Sequence, residues 1–230
     1  MNMNIRKVGI AAVAAGSLWF AASLVAQAAT HEGAGVPTAI GLATGSSLWL
    51  EGTSNIHNFE SRTSQVTVAF TRDANAPNPT DAASLDAMIR ASAVHGLDLH
   101  VLVATLKSGK AGLDKNLYKA LEAEEHPQIH FHLARYTVTP RTTGADTLNI
   151  HAEGTLSVAG KDQPVSLEAR AFRNDRGVWL EGSEALLMSS FGVKPPKMML
   201  GTLRVNDKIT VRYRLLLAPT GPATAATSAK

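Results

Sequence analysis

The chain has 230 residues, of which 45% are hydrophobic and 18% are charged, a balance typical of a globular protein. It contains no cysteine, which excludes disulfides, iron–sulfur clusters, covalent haem attachment and cysteine catalysis. Its formal net charge is +3, and the sequence shows no basic patch of the kind that binds nucleic acid.

The first 28 residues have the pattern of a secretory signal peptide. Arg6 and Lys7 form a basic start, an uncharged apolar run extends from Val8 to Val25, and residues 26–28 supply the small residues of a cleavage site. A retained membrane anchor is the alternative, because an apolar run of this length is just enough to span a bilayer. Cleavage after Ala28 would leave 202 residues with 20 basic and 19 acidic side chains. We therefore expect a periplasmic protein with no stable membrane span and no nucleic-acid partner.

The two flanks of the remaining chain have little pattern. Residues 29–43 are small and glycine-rich and predict a flexible leader, and residues 219–230 predict a disordered tail because they contain too little apolar mass to order themselves. Residues 44–218 lie between these flanks and predict a single domain. A chain of about 200 residues can bury an adequate core without disulfides.

Eight runs in this domain alternate apolar and polar residues, which is the period of a β-strand. The runs lie at Ser47–Thr53, Gln65–Phe70, Val94–Val103, Ile129–Leu133, Leu148–His151, Val165–Glu168, Val178–Glu181 and Ile209–Leu215. Turn sequences at 140–146, 159–162 and 174–177 separate several of them, and this spacing favours an antiparallel sandwich or barrel.

Closure of the sheet into a barrel would hide its apolar face and remove its exposed edges. We therefore predict an all-β fold, an eight-stranded antiparallel barrel. The interior of such a barrel is either filled by side chains or wide enough for one small ligand, and the strand pattern alone leaves both alternatives open.

One helix is predicted between the third and fourth strands, from about residue 114 to residue 125. Leu117, Ala120 and Leu121 fall on one face of it, Asp114 is a suitable N-cap, and Pro127 must end it. A helix that passes directly into a strand suggests a lid at one end of the sheet.

The sequence shows no pattern of catalytic residues. It has no P-loop, GxSxG or HExxH motif, and no spacing singles out a nucleophile with a base and an orienting group. We therefore predict a non-enzyme without a cofactor. His130 and His132 share one strand face and could place both imidazoles on one metal ion if a third ligand converged on it. The alternative is that both are outward, solvated residues that pair with Asp or Glu.

Four segments carry a resemblance to a known family: Leu50–Phe70, Leu106–Leu133, Gly154–Ala169 and Met188–Leu217. In this order they resemble the YceI-like family of exported bacterial proteins, and together they span nearly all of residues 44–218. The resemblance implies a lipocalin-like barrel of eight strands, with a helix closing one end and a cavity rather than a filled core. The segment 72–93 is long and rich in Ala and Pro, a departure from the family that we expect to reshape the mouth.

The resemblance also implies a ligand, a long apolar isoprenoid or other lipid held in the barrel without catalysis. His57, in a Ser-x-x-His-Asx-Phe pattern, would lie near the first turn and orient a polar end or hold the loop. If the inward-facing strand positions of the family are transferred to the matching positions of this sequence, they give the lining of the cavity. These positions are Val66, Val68, Phe70, Leu97, Leu99, Val101, Ile129, Phe131, Leu133, Ile150, Leu156, Leu167, Leu180, Val211 and Tyr213.

Two other functions are compatible with the sequence. One is a structural or stress-related module of the cell envelope with a filled barrel. The other is a periplasmic metal-binding protein that uses His130 and His132. Neither the identity of the ligand nor the oligomeric state follows from the residues.

Overall fold

The structure, a computed structural model, describes residues 35–140, 147–198 and 202–220. These residues form two helices, α1 (Ala82–Arg90) and α2 (Ala111–Ala120), and short 3-10 helices at Val103–Thr105 and Met188–Phe191. They also form the strands β1 (Val36–Thr38), β2 (Ile40–Leu42), β3 (Ser47–Ser54), β4 (Asn58–Thr63), β5 (Val66–Arg72), β6 (Val94–Leu102), β7 (Gln128–Pro140), β8 (Thr147–Val158), β9 (Lys161–Asn174), β10 (Gly177–Leu187), β11 (Lys197–Met198) and β12 (Leu203–Pro219).

All twelve strands belong to one antiparallel sheet that curls around an apolar interior. Its order is β1-β5-β6-β7-β8-β9-β10-β12-β3-β4, and β2 and β11 pair with β12. The predicted all-β, lipocalin-like fold is confirmed. Within the described residues no ladder joins β4 to β5. The curl is closed by residues 36–42, where β1 pairs with β5 and β2 pairs with β12, and the edge strand β4 is fastened by a single bridge. There Arg62 N donates to Lys107 O at 2.8 Å, and Lys107 N donates to Arg62 O at 2.9 Å.

Each of the eight predicted strands is present, and four further strands were not predicted. Two of these lie in the predicted flexible leader, where the expectation was wrong for residues 36–42: β1 pairs with β5, β2 pairs with β12, and Ile40 is only 5% exposed. At the other end Pro219, assigned to the tail, still pairs with Ile40. The predicted signal peptide, the turn at 141–146 and residues 221–230 lie outside the described residues.

The helix expected at 114–125 is α2, and its predicted bounds were wrong. It begins at Ala111 and ends at Ala120, before Glu122 adopts a left-handed conformation with φ of 51°. Asp114 is not the N-cap. Its Oδ1 accepts hydrogen bonds from Ser108 N at 2.7 Å and from Ser108 Oγ at 2.6 Å, so this carboxylate fastens the preceding loop to the helix.

Helix α1 was not predicted, because segment 72–93 was interpreted only as a long Ala/Pro-rich stretch. It begins with a capping box, in which Ser84 N donates to Asp81 Oδ1 at 2.7 Å and Asp81 N donates to Ser84 Oγ at 3.1 Å. Leu85, Met88 and Ile89 are buried on the helix face that contacts the sheet.

The two helices close opposite ends of the curled sheet. Helix α1 packs in one apolar cluster with residues such as Leu148, Val178 and Leu217. Helix α2 packs in a second cluster with Val101, Leu106 and Phe191, which confirms its predicted position over one end. Among the described residues, no helix combines the length and hydropathy that a bilayer crossing requires.

We predict that Leu85→Ala lowers the free energy of unfolding by about 2–5 kcal/mol, because Leu85 is fully buried and the truncation leaves a cavity in the α1 end of the core. The control is Leu102→Ala, which makes the same change at a side chain that is 46% exposed and should change stability little. Urea unfolding of both variants measures the difference. Equal effects of the two substitutions would show that α1 does not seal the core.

Candidate ligand-binding cavity

A cavity of about 290 Å³ lies between the two helix-sealed ends of the sheet. Its wall is formed by the inward side chains of β3 to β10 and β12, by Ile89 of α1 and by Leu113 and Leu117 of α2. This volume lies close to the lower bound of about 300–1,000 Å³ that small-molecule sites span. The interior is therefore hollow rather than filled by its own side chains.

The wall contains thirteen of the fifteen predicted lining residues. Val66 and Val68 of β5 are the exceptions. Val66 is 8% exposed but lies in the α2-end cluster, and Val68 packs against the α1-end cluster, so these side chains contribute to the core instead of to the cavity. Contact of the other thirteen with a ligand stays a prediction.

Sequence reasoning missed the contributions of α1, α2 and β4 to the wall. Ile89 was missed with its helix, and Leu113 precedes the predicted start of α2. Phe59 and Ser61 lie on β4, whose inward positions mix apolar and polar residues and so give no clear alternation. Leu48 and Leu50 are two residues apart in the predicted run Ser47–Thr53, and that spacing could have added them to the lining.

Three aromatic rings of the wall lie over glycines on neighbouring strands. Phe131 faces Gly154, Tyr213 faces Gly182, and Phe59 faces Gly52. A Cβ added at any of these three glycines would clash with the ring opposite it. Small inward residues therefore leave no spare room at these three positions. The missing side chains make space for rings that lie flat along the wall.

The ladder between β9 and β10 ends part-way along both strands. The last pair is Ala169 with Gly182, and there Tyr213 Oη donates to Glu168 O at 3.3 Å. The next polar contact that joins the two sides is Gln163 Nε2 donating to Ser190 O at 2.9 Å. We call the stretch of β9 and β10 between these contacts the unpaired interval. Leu167 on β9 and Glu184 on β10 belong to it, and both line the cavity.

Polar side chains are a minority in the wall. They include Ser54 and His57 at the β3–β4 turn, Ser108 and Asn116 near α2, and Glu184. No Lys or Arg lies in the described part of the wall. The backbone of His57 holds the turn, since its N–H donates to Ser54 Oγ at 3.1 Å and its carbonyl accepts from Ser54 Oγ at 2.8 Å. Its exposed side chain makes no hydrogen bond within the described residues.

Comparison with known proteins decides the family. The YceI-like domain family matches residues 43–217, three quarters of the chain. The chain belongs to the YceI-like family. A search of curated protein sequences finds no match.

Two solved structures have the same fold as this YceI-like protein. BcnA from Burkholderia cenocepacia is 16% identical with a TM-score of 0.55, and the match covers 75% of this chain and 96% of BcnA. A polyisoprenoid binding domain from Saccharophagus degradans, implicated in plant cell wall breakdown, is 10% identical with a TM-score of 0.54. That match covers 79% of this chain and 99% of the domain. At these identities the likeness shows the fold alone.

His130 and His132 of this YceI-like protein lie on the outer face of the sheet. His130 Nε2 lies 2.9 Å and His132 Nδ1 lies 2.8 Å from the same Asp98 Oδ1, as the solvated-pair interpretation predicted. The ring of His130 also stacks on His100 with 4.3 Å between centroids. Burial raises the pKa of Asp98, but the hydrogen bonds from His132 and His130 outweigh it, so this pKa lies below its ordinary value of 3.8.

The metal hypothesis gains no support from this arrangement, because both imidazoles already converge on one carboxylate oxygen. In the described ranges, one group of three side chains has the spacing of a metal site, namely Glu122, Glu125 and His126. Their candidate ligand atoms all lie within 4.8 Å of one another. It includes neither His130 nor His132, and its two carboxylates are exposed.

We predict that Gly154→Ala lowers the free energy of unfolding by about 1–3 kcal/mol, the usual cost of overpacking. The new Cβ would lie 2.7 Å from Phe131 Cε2 and would also clash with the carbonyl oxygen of His132. Gly112→Ala is the control, because a Cβ there meets no atom within 4 Å and should stabilise α2 by up to about 1 kcal/mol. Thermal unfolding of both variants tests this. A neutral Gly154→Ala would mean that the ring does not lie on the glycine.

We also predict a pH-dependent contribution from His151. Hydrogen bonds and the negative charges of Glu168, at 2.6 Å, and of Glu153 raise the pKa of His151 above its ordinary 6.5. A histidine whose pKa is higher in the folded than in the unfolded state stabilises the fold at pH values below its unfolded-state pKa. This stabilisation is lost as the pH rises through its folded-state pKa. His151→Gln should therefore lower stability at pH 5 but leave it unchanged at pH 9. Urea unfolding at both values measures this, and a loss of equal size at both would contradict it.

Proposed function

We propose that the protein is an exported, non-enzymatic carrier that holds a long apolar isoprenoid or other lipid in its cavity. The observation that carries this proposal is the hollow interior, whose wall consists almost wholly of aliphatic and aromatic side chains. Such a wall offers hydrophobic contact along its length and few hydrogen bonds, which suits a ligand that is mostly hydrocarbon.

Hydrophobic burial alone is large enough to account for useful affinity. Each buried methylene contributes roughly 0.8 kcal/mol, so one five-carbon isoprenoid unit contributes up to about 3–4 kcal/mol. Association costs about 4–15 kcal/mol in lost freedom. Three fully enclosed units contribute up to about 12 kcal/mol, which leaves about 8 kcal/mol, or binding near 1 µM, when the cost lies at the lower end of that range.

The comparisons support this proposal without identifying the ligand. The Saccharophagus degradans structure that shares the fold is described as a polyisoprenoid binding domain. The almost wholly apolar wall supports the non-enzymatic role. Export is supported by the signal-peptide pattern of residues 1–28.

The full chain should be expressed in a Gram-negative host and purified from the periplasmic fraction. Intact mass then reports whether cleavage occurs after Ala28, and native mass spectrometry with lipid extraction identifies any co-purified ligand. Recovery only in the cytoplasm would contradict export. A protein that carries no lipid and takes up no added farnesol or geranylgeraniol would instead be a structural module.

We predict that Ala152→Phe lowers uptake of farnesol at least tenfold. Ala152 lies in the cavity wall, and a phenyl group there would occupy volume that the ligand needs while adding no charge. Thr155→Phe is the matched control, since Thr155 lies on the same strand but not in the wall, and it should bind like the wild type. Titration followed by native mass spectrometry measures both. Equal uptake by the two variants would place the ligand outside the cavity.

A further inference from the structure

Glu184 is the one acidic residue among the described residues of the cavity wall. It lies on the inward face of β10, opposite Val211 of β12 and two residues from Leu186, another wall residue. The side chain is half-buried, and its carboxylate has no hydrogen bond or ion pair with any described residue.

Other carboxylates of this region have basic partners. On the outer face of β10, Glu181 lies 2.9 Å from Arg214 and 3.8 Å from Arg170. On the outer face of β9, Glu168 lies 2.6 Å from His151. A carboxylate that faces an apolar cavity without such a partner loses hydration and gains nothing in return. The fold alone gives no reason for Glu184 to be acidic.

The position of Glu184 connects it to the outside of the sheet. It belongs to the unpaired interval of β9 and β10, where the two strands form no ladder between Gly182 and the Gln163–Ser190 hydrogen bond. A ligand whose tail occupies the apolar cavity can therefore place its polar end in this interval, beside the carboxylate.

The negative charge of Glu184 affects the neighbouring wall residue Tyr213, and no positive charge in the described wall compensates it. Burial, together with the negative charges of Glu184 and Glu168, raises the pKa of Tyr213 to about 12. The described part of the wall holds no Lys or Arg that could balance a second anion. In a medium of low dielectric constant, repulsion between two like charges is several times stronger than in water.

We propose that Glu184 accepts a hydrogen bond from the polar end of the ligand and restricts that end to a donor without negative charge, a hydroxyl or an ammonium group. Phosphate and carboxylate ends are rejected by the same charge. This selection rests on the proposed function, because it requires that the tail occupies the cavity.

The test compares three probes with one tail: farnesol, farnesylamine and farnesyl monophosphate. Titration calorimetry of the full chain should give the alcohol and the amine at least tenfold higher affinity than the phosphate. In Glu184→Gln, which keeps the shape of the side chain and removes its charge, the ratio of alcohol to phosphate affinity should fall at least threefold. Glu168→Gln removes a charge from the outer face of the same interval and should keep the wild-type ratio.

The outcomes separate this selection from carriage itself. Equal affinity of the wild type for alcohol and phosphate would overturn the role of Glu184 and leave lipid carriage intact, and so would an unchanged ratio in Glu184→Gln. If the wild type binds none of the three probes, both fail. The comparison of probes on the wild type needs no variant, so equal affinity for alcohol and phosphate overturns the role of Glu184 even if Glu184→Gln folds poorly.

Discussion

The apolar face of a single antiparallel sheet must be kept from water, and the structure meets this constraint by curling the sheet and sealing its ends. The seal requires both helices. Helix α1 buries Leu85, Met88 and Ile89 at one end, and α2 packs with the cluster around Leu106 and Phe191 at the other. The cavity lies between these two clusters and is lined by the inward side chains of the strands. The cavity is thus a by-product of the way the fold protects its hydrophobic surface.

Strict alternation along the strands was the part of the fold that the sequence revealed best. Eight runs with a period of two became eight strands, and thirteen of fifteen inward residues became cavity wall, because in a half-buried strand the period itself decides which face is apolar. Alternation cannot predict what depends on distant partners. The three-residue strands β1 and β2 are too short to show a period, and Asp114 binds Ser108 rather than capping its own helix. Helix α1 was a different failure. Its capping box and its apolar residues at 85, 88 and 89 were present in the sequence, but segment 72–93 was interpreted only as a long Ala/Pro-rich stretch.

The same alternation separates two kinds of chemistry. Outward positions hold the charged and imidazole pairs, such as His130 and His132 around Asp98, in an environment where water screens them. Inward positions hold hydrocarbon and aromatic rings fitted over glycines. A polar residue on the inward face therefore needs a reason, and in the described wall Glu184 is the clearest case, since it lies where the β9–β10 ladder is interrupted and has no partner. The position of Glu184 could not be predicted from the sequence. It depends on how β10 pairs with β9 and β12, and this register is set only in the folded sheet.

The junction between β4 and the rest of the sheet has a mechanical consequence. In a barrel with an unbroken ladder, strand number and stagger fix the girth. Here the edge strand β4 is fastened by two backbone hydrogen bonds between Arg62 and Lys107 and by the hydroxyl contact of Thr63 with Thr105 at 2.8 Å. Residues 36–42 join β5 to β12 separately, through β1 and β2. Release of β4 would thus open the wall at Phe59 and Ser61 while the circuit of ladders through residues 36–42 stayed closed.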